Sequence, residues 1–124
     1  MMDQISFFIE GKPVPKGRPR LGKGTVRTPK RTKAWEETVG WTATEYIKDP
    51  FECNLRVLLM FHVHDMNVRD LDNLIKSTLD GLNGVAWLDD NQITTIIATK
   101  ELNRRLPGVN VIIEEDTDAH YPRP

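Results

Sequence analysis

Cysteine is almost absent from this chain, with only Cys53 in 124 residues. One thiol excludes an intramolecular disulfide framework and a cysteine-rich zinc site, and it suits a reducing cytoplasm, the expected location. Long apolar runs are missing too. None approaches the ~20 residues that a membrane-spanning helix needs, so no membrane partner is expected. The start, Met-Met-Asp-Gln, has neither a basic n-region nor an apolar h-region and reads as no secretory signal. Net charge is small, −1 at pH 7 with a pI near 6.3. Taken over the whole chain, that balance gives no reason to expect a polyanionic partner.

The distribution of charge reverses that conclusion. Acidic residues are wholly missing from residues 11–35, which carry nine cations: Lys12, Lys16, Arg18, Arg20, Lys23, Arg27, Lys30, Arg31 and Lys33. The rest of the chain is correspondingly acidic. A polyanion responds to the local patch and not to the sum, so the segment reads as a nucleic-acid-binding surface. It would track phosphates, which gives affinity without sequence information.

Length and an ordinary globular composition imply one domain spanning 1–124. Gln4 to Glu10 reads as a strand. Four prolines and four glycines within residues 11–32 forbid a helix and disfavour an inner strand, giving a long basic loop. Thr32 is placed to cap a helix from Lys33 to about Lys48, with Ala34 or Trp35, Thr38, Trp41, Thr42, Glu45 and Tyr46 at helical spacing and Asp49-Pro50 ending it. Trp35 and Trp41 read as packing residues. Asn54 to His64 alternates as a strand, one face formed by Leu55, Val57, Leu59, Phe61 and Val63.

Asp70 to Asn83 is the clearest helix, with a stripe of Leu71, Leu74, Ile75, Thr78, Leu79 and Leu82. Its other side carries Asp72, Asn73, Lys76, Ser77 and Asp80, and Asn83-Gly84 stops it. Gln92 to Glu101 and Val109 to Glu114 read as strands. The tail Glu115 to Pro124 reads as loose. The order β-α-β-α-β-β implies an α+β fold, one mixed sheet with two packed helices.

The chemistry concentrates in Asp70-Leu71-Asp72-Asn73 and Trp87-Leu88-Asp89-Asp90. Each has an ordinary reading. Asp at a helix start meets free N–H groups and the helix dipole, Lys76 makes an i,i+4 pair with Asp72, and Asp89-Asp90-Asn91 is a plausible polar turn. Together they offer several carboxylates that a helix-turn-strand unit would gather. Clustered carboxylates need a cation, and an oxygen-only site suits Mg²⁺. Such an ion acts as Lewis acid, orients a phosphate and lowers the pKa of a bound water. Lys76, one turn along, would offset developing charge. Gly17-x-x-x-x-Gly22-Lys23-Gly24 fails as a P-loop, because Gly24 replaces the hydroxyl residue and no helix follows, so no nucleotide cofactor is expected. His62 and His64 lack a third firm ligand for zinc and read as strand-end histidines. Nothing in the sequence marks Cys53 as a nucleophile.

Asp-Leu-Asp-Asn-Leu-x-Lys, followed by Asp80 and then Trp-Leu-Asp-Asp, resembles the RusA family of Holliday-junction resolvases over about residues 54–101. The basic segment has a similar placement. Pro13-Val14-Pro15-Lys16-Gly17-Arg18-Pro19-Arg20 looks like the phage and Gram-positive branch. The resemblance implies a dimeric, Mg²⁺-dependent endonuclease, with Mn²⁺ as a substitute ion, that resolves four-way DNA junctions by paired nicks in recombination and repair. It implies that Asp70, Asp72 and Asp90 hold the metal and that Lys76 is the essential lysine; of the Asp89-Asp90 pair, the second matches the family's catalytic residue. Lys12, Lys16, Arg18, Arg20, Lys23, Arg27, Lys30 and Arg31 would bind DNA. Products would be a 5′-phosphate and a 3′-hydroxyl. A C2 homodimer would set one active site at each of two opposed strands. Two other readings stay open: a non-catalytic junction-binding accessory protein of the same fold, and a metal-dependent phosphoesterase acting on small substrates.

Overall fold

A computed structural model describes residues 4–17, 20–22, 25–67 and 70–117. The element order is β1 (Ile5–Glu10), β2 (Arg20–Gly22), β3 (Thr25–Arg27), α1 (Lys30–Thr44), β4 (Leu55–Val63), α2 (Leu71–Leu82), β5 (Ile93–Leu102) and β6 (Gly108–Glu115). A four-stranded sheet has the order β1-β6-β4-β5, and β2 pairs with β3 in a separate hairpin. β4 and β5 are parallel, while β6 is antiparallel to both β1 and β4. The sheet is therefore mixed, and the α+β expectation holds.

This topology contains two crossovers that run strand, helix, parallel strand: β1-α1-β4 and β4-α2-β5. Both helices pack on the same side. Phe7 and Ile9 of β1, the alternate residues of β4 from Leu55 to Val63, and Val109, Val111 and Ile113 of β6 are all buried there. They meet Trp35, Val39 and Ala43 of α1 and Leu74 and Leu82 of α2. The alternation in β4 is complete, buried and half-buried residues taking turns along all nine positions, because β4 is an inner strand with helices on one face only.

Several local expectations are corrected. α1 begins at Lys30, with Pro29 at the N-cap position; the fixed φ of proline suits a helix start. Thr32 does not cap. It is buried, donating to the Pro15 carbonyl at 3.1 Å and accepting from the Gly17 amide at 3.1 Å. The buried stripe of α1 is Thr32, Trp35, Val39 and Ala43. Trp41 lies about 200° around the helix from Val39 and is 74% exposed, so it is not a core residue. Ser77 is buried, not solvent-facing, and its hydroxyl donates to the Val14 carbonyl at 2.6 Å. The tail reading fails at its start: Glu115 ends β6, and Asp116 is buried, accepting from Thr94 Oγ1 and pairing with Arg56 at 3.4 Å. Residues 118–124 of that tail lie outside the described residues.

Two glycines set the helix layer. A Cβ on Gly81 would sit 2.7 Å from the Glu36 carbonyl oxygen and 2.9 Å from Val39 Cβ, so α1 and α2 touch backbone to backbone there. Gly84 adopts φ +84°, which ends α2 as the Asn83-Gly84 pair implied.

Candidate active site and nucleic-acid interface

The C-terminal ends of β1, β4 and β5 and the N-termini of α1 and α2 share one end of the molecule. In open sheets with parallel crossovers this end commonly forms the ligand site. The loops are stitched together there. The Gly11 amide donates to the Pro107 carbonyl at 3.0 Å, Asn103 to Val63 at 2.8 Å, and Lys16 to Asn73 at 2.9 Å.

Asp70 stands at the N-cap position of α2, yet its carboxylate makes no capping hydrogen bond. Asp72, exposed in the first turn, accepts from the Asn73 amide at 3.0 Å. Lys76 is exposed one turn further. Asp70, Asp72 and Lys76 thus share one solvent-facing end, as the sequence implied.

Asp90 does not join them. It accepts from the Trp87 indole N–H at 2.7 Å at the start of a short 3-10 turn, Asp90–Gln92, that leads into β5. Because β5 runs parallel to β4, its start lies beside the start of β4, whereas Asp70 and Asp72 follow the end of β4. The 12 residues of α2 separate the two positions by about 18 Å. Among the described residues no three His, Cys, Asp or Glu side chains are grouped to hold a metal ion. The expected triad of Asp70, Asp72 and Asp90 therefore does not fit one ion within a single chain. The sequence reading had the helix-turn-strand unit gather the two acidic segments; because β5 is parallel to β4, α2 carries the chain back to the far end instead.

Asp89 is occupied structurally, as the N-cap of that 3-10 turn in a reciprocal capping box with Gln92. Gln92 is the residue the sequence reading missed. It is buried, its carbonyl oxygen accepts from the Leu88 and Asp89 amides, and its NH₂ donates to the Phe51 and Cys53 carbonyls at 2.7 and 2.9 Å. Four bonds fix the turn that presents Asp90. Fully buried Trp87 anchors the same turn, while its neighbour Leu88 is 57% exposed. A Gln two residues after an Asp pair, at a strand start, was the available signal.

The basic segment divides. Lys12, Lys30 and Arg31 are exposed at the Asp70 end. The first turn of α1 carries no acid, so its free N–H groups and two cations favour an anion. Lys16 is different: its ammonium sits 2.9 Å from both Glu36 and Asp80, bracing the loop against α1 and α2. Burial alone would lower its pKa, but hydrogen bonds and charge from Glu36 and Asp80 outweigh that and raise it. Lys16, expected to contact DNA, is thus also an internal brace between the loop and both helices. Arg20 and Arg27 fall in β2 and β3, paired with each other in register. Arg18 and Lys23 lie outside the described residues.

His62 Nε2 is 2.9 Å from Asn110 Nδ2, and its Nδ1 lies 3.1 Å from Glu101 without forming a hydrogen bond. Burial and the nearby Glu115 charge push the Cys53 thiol up, which makes it a poorer nucleophile.

The family profile described as "Endodeoxyribonuclease RusA" matches residues 10–114. An uncharacterised protein of Bacillus subtilis strain 168, YqaN, is 27% identical over 140 residues, covering 92% of this chain and 98% of the relative. No described helix is long and apolar enough to cross a membrane.

Proposed function

The chain belongs to the RusA family of endodeoxyribonucleases, and from that premise we propose that it is a Mg²⁺-dependent nuclease that resolves four-way DNA junctions by symmetric paired nicks. Family membership carries the nuclease class. The uncapped Asp70 carboxylate, facing solvent beside Asp72 and Lys76, is the structural observation that supports an active site at this end. Lys12, Lys30 and Arg31 on the same end would hold the phosphate backbone.

The separation of Asp90 from Asp70 and Asp72 gives the proposed C2 homodimer a second purpose. Two copies related by a two-fold that exchanges their ends would set the Asp90 of one copy beside Asp70 and Asp72 of the other. Mg²⁺ or Mn²⁺ bound there would supply charge neutralisation at the scissile phosphate. The chain's own contribution is to hold three carboxylates apart until two copies meet, and to place the Lys76 ammonium where negative charge develops.

The test is nicking of a synthetic four-way junction beside a linear duplex of matched sequence, with Mg²⁺ or EDTA. Asp70→Asn is expected to abolish nicking while junction binding persists. Wild-type rates in that variant would remove the carboxylate role, and tight binding without nicking under any metal would make the chain a binding protein. Mixing Asp72→Asn with Asp90→Asn protein, each inactive alone, should restore up to about a quarter of the sites, since half the random pairs are mixed and each mixed pair has one intact site. No recovery after subunit exchange would place the whole site in one chain.

A further inference from the structure

We propose that the cleft between the start of the 11–17 loop and the outer flank of α1 captures a single unpaired nucleotide, so that a base taken out of the stack helps the chain to recognise branched DNA. This rests on the nuclease reading above, to which it adds how a branch is told from a duplex.

The cleft holds about 310 Å³ at the end of β1, lined by Gly11, Lys12 and Val14 of the loop and by Arg31, Ala34 and Trp35 of α1. Sites for small organic groups begin near this size, at about 300 Å³. Gly11 adopts φ +133°, and a Cβ on it would lie 3.5 Å from Trp35 Cζ3, so the missing side chain leaves room beside the ring. Val14, Ala34 and Trp35 make one side of the cleft apolar, while Lys12 and Arg31 make the other cationic. Among the described residues neither cation has an ion-pair partner, unlike Lys16. No side chain caps the start of α1, so the helix dipole adds positive potential at the same mouth.

A phosphate alone needs no apolar wall, and an apolar ligand needs no cations. A nucleotide uses both. Its flat base would lie against Val14, Ala34 and the edge of Trp35, with the planar guanidinium of Arg31 stacked on it. Its phosphate would sit on Lys12 and the start of α1. A base inside a duplex cannot enter, because its edge is paired and its faces are stacked. Extrusion costs least where pairing or stacking is already interrupted, as at a branch point. The cleft also lies close to the carboxylates. Gly11 to Lys16 spans at most about 18 Å of chain, and the Lys16 amide is bonded to Asn73 in the first turn of α2. At about 3.4 Å per nucleotide along a strand, the captured base is within about five nucleotides of a phosphate held at Asp70 and Asp72.

The experiment uses the full chain in EDTA, so that binding is read without cutting. Four-way junctions each carry one 2-aminopurine, a base that brightens when it leaves the stack. Saturating wild-type protein should brighten it near the branch and leave the outer arms dark. A linear duplex with one unmatched nucleotide should bind about tenfold more tightly than the fully paired duplex, the worth of one stacked base. Ala34→Leu/Thr38→Leu fills the cleft from two exposed positions of α1 and changes no charge. It should abolish both effects while the salt slope of duplex binding stays at the wild-type value. Arg31→Lys keeps the charge and loses the planar group; it should weaken both effects, and it carries the test if the leucine pair lowers the helix content seen by circular dichroism. No brightening at any position, equal affinity for the two duplexes, or brightening that survives the folded variants would each overturn the proposal. The nuclease reading fails separately, on nicking in Mg²⁺: a chain that captures the base and never nicks keeps the cleft and loses the chemistry.

Discussion

Single side chains here have roles that their type does not announce, and Lys16 shows this best. It belongs to a run of nine cations, yet Glu36 and Asp80 neutralise it. Lys16→Ala should lower stability by about 1–2 kcal/mol in urea titration, between the values for exposed and buried ion pairs. It should leave the salt slope of DNA binding unchanged, whereas Lys12, Lys30 and Arg31 neutralised together should flatten it. The raised pKa fixes the pH range. A raised lysine stabilises fully below the unfolded value of 10.5 and loses that contribution only as pH climbs through the higher folded one. Thermal melts across neutral pH should therefore show no change from this brace. Lys76, with no ion-pair partner among the described residues, should behave oppositely: Lys76→Ala is expected to lower the nicking rate far more than junction affinity, and the reverse would make it a binding residue.

Elements succeed or fail by what they touch. The contact between α1 and α2 depends on Gly81, where any side chain meets the Glu36 carbonyl and Val39. Gly81→Ala should cost about 1–3 kcal/mol by overpacking, although alanine favours an isolated helix; a stabilised variant would show that the helices separate freely. Trp35→Ala should cost about 3–5 kcal/mol, since the ring is buried and its indole donates to Thr78 at 3.2 Å, while Trp41→Ala should be near neutral. This pair also shows what was legible. The strong alternation of β4 and the stripe of α2 were readable because one buried face dictates each residue. α1 has a weak stripe, so its buried side could not be found from spacing, and tryptophan misled by its size. The stitching of residues 11–17 by Thr32, Ser77 and Lys16 was not readable either, because those bonds join residues 15 to 63 positions apart. Asp70, Asp72 and Lys76 were legible as a local motif on one helix. The displacement of Asp90 was not, because it follows from strand direction.

At the scale of the whole molecule, the net charge conceals a dipolar body. Cations gather at the end where both helices begin, and the turn holding Asp89 and Asp90 lies at the other. Junction binding should accordingly fall steeply between about 50 and 200 mM salt, although the pI near 6.3 suggests no affinity for DNA. A flat salt response would argue for a small-molecule phosphate ester as substrate. The sheet order has a different kind of consequence. β6, the last described strand, fills the gap between β1 and β4, so β1 and β4 have no direct strand contact without it. During synthesis the sheet stays open until β6 clears the ribosome, and the pairing it completes is long-range and therefore slow. A fragment cut short before Gly108 would hold every carboxylate and every cation of the proposed site and still keep only the β4–β5 pair, with β1 joined to neither strand. Nuclease competence would thus arrive all at once, after translation has passed the final strand.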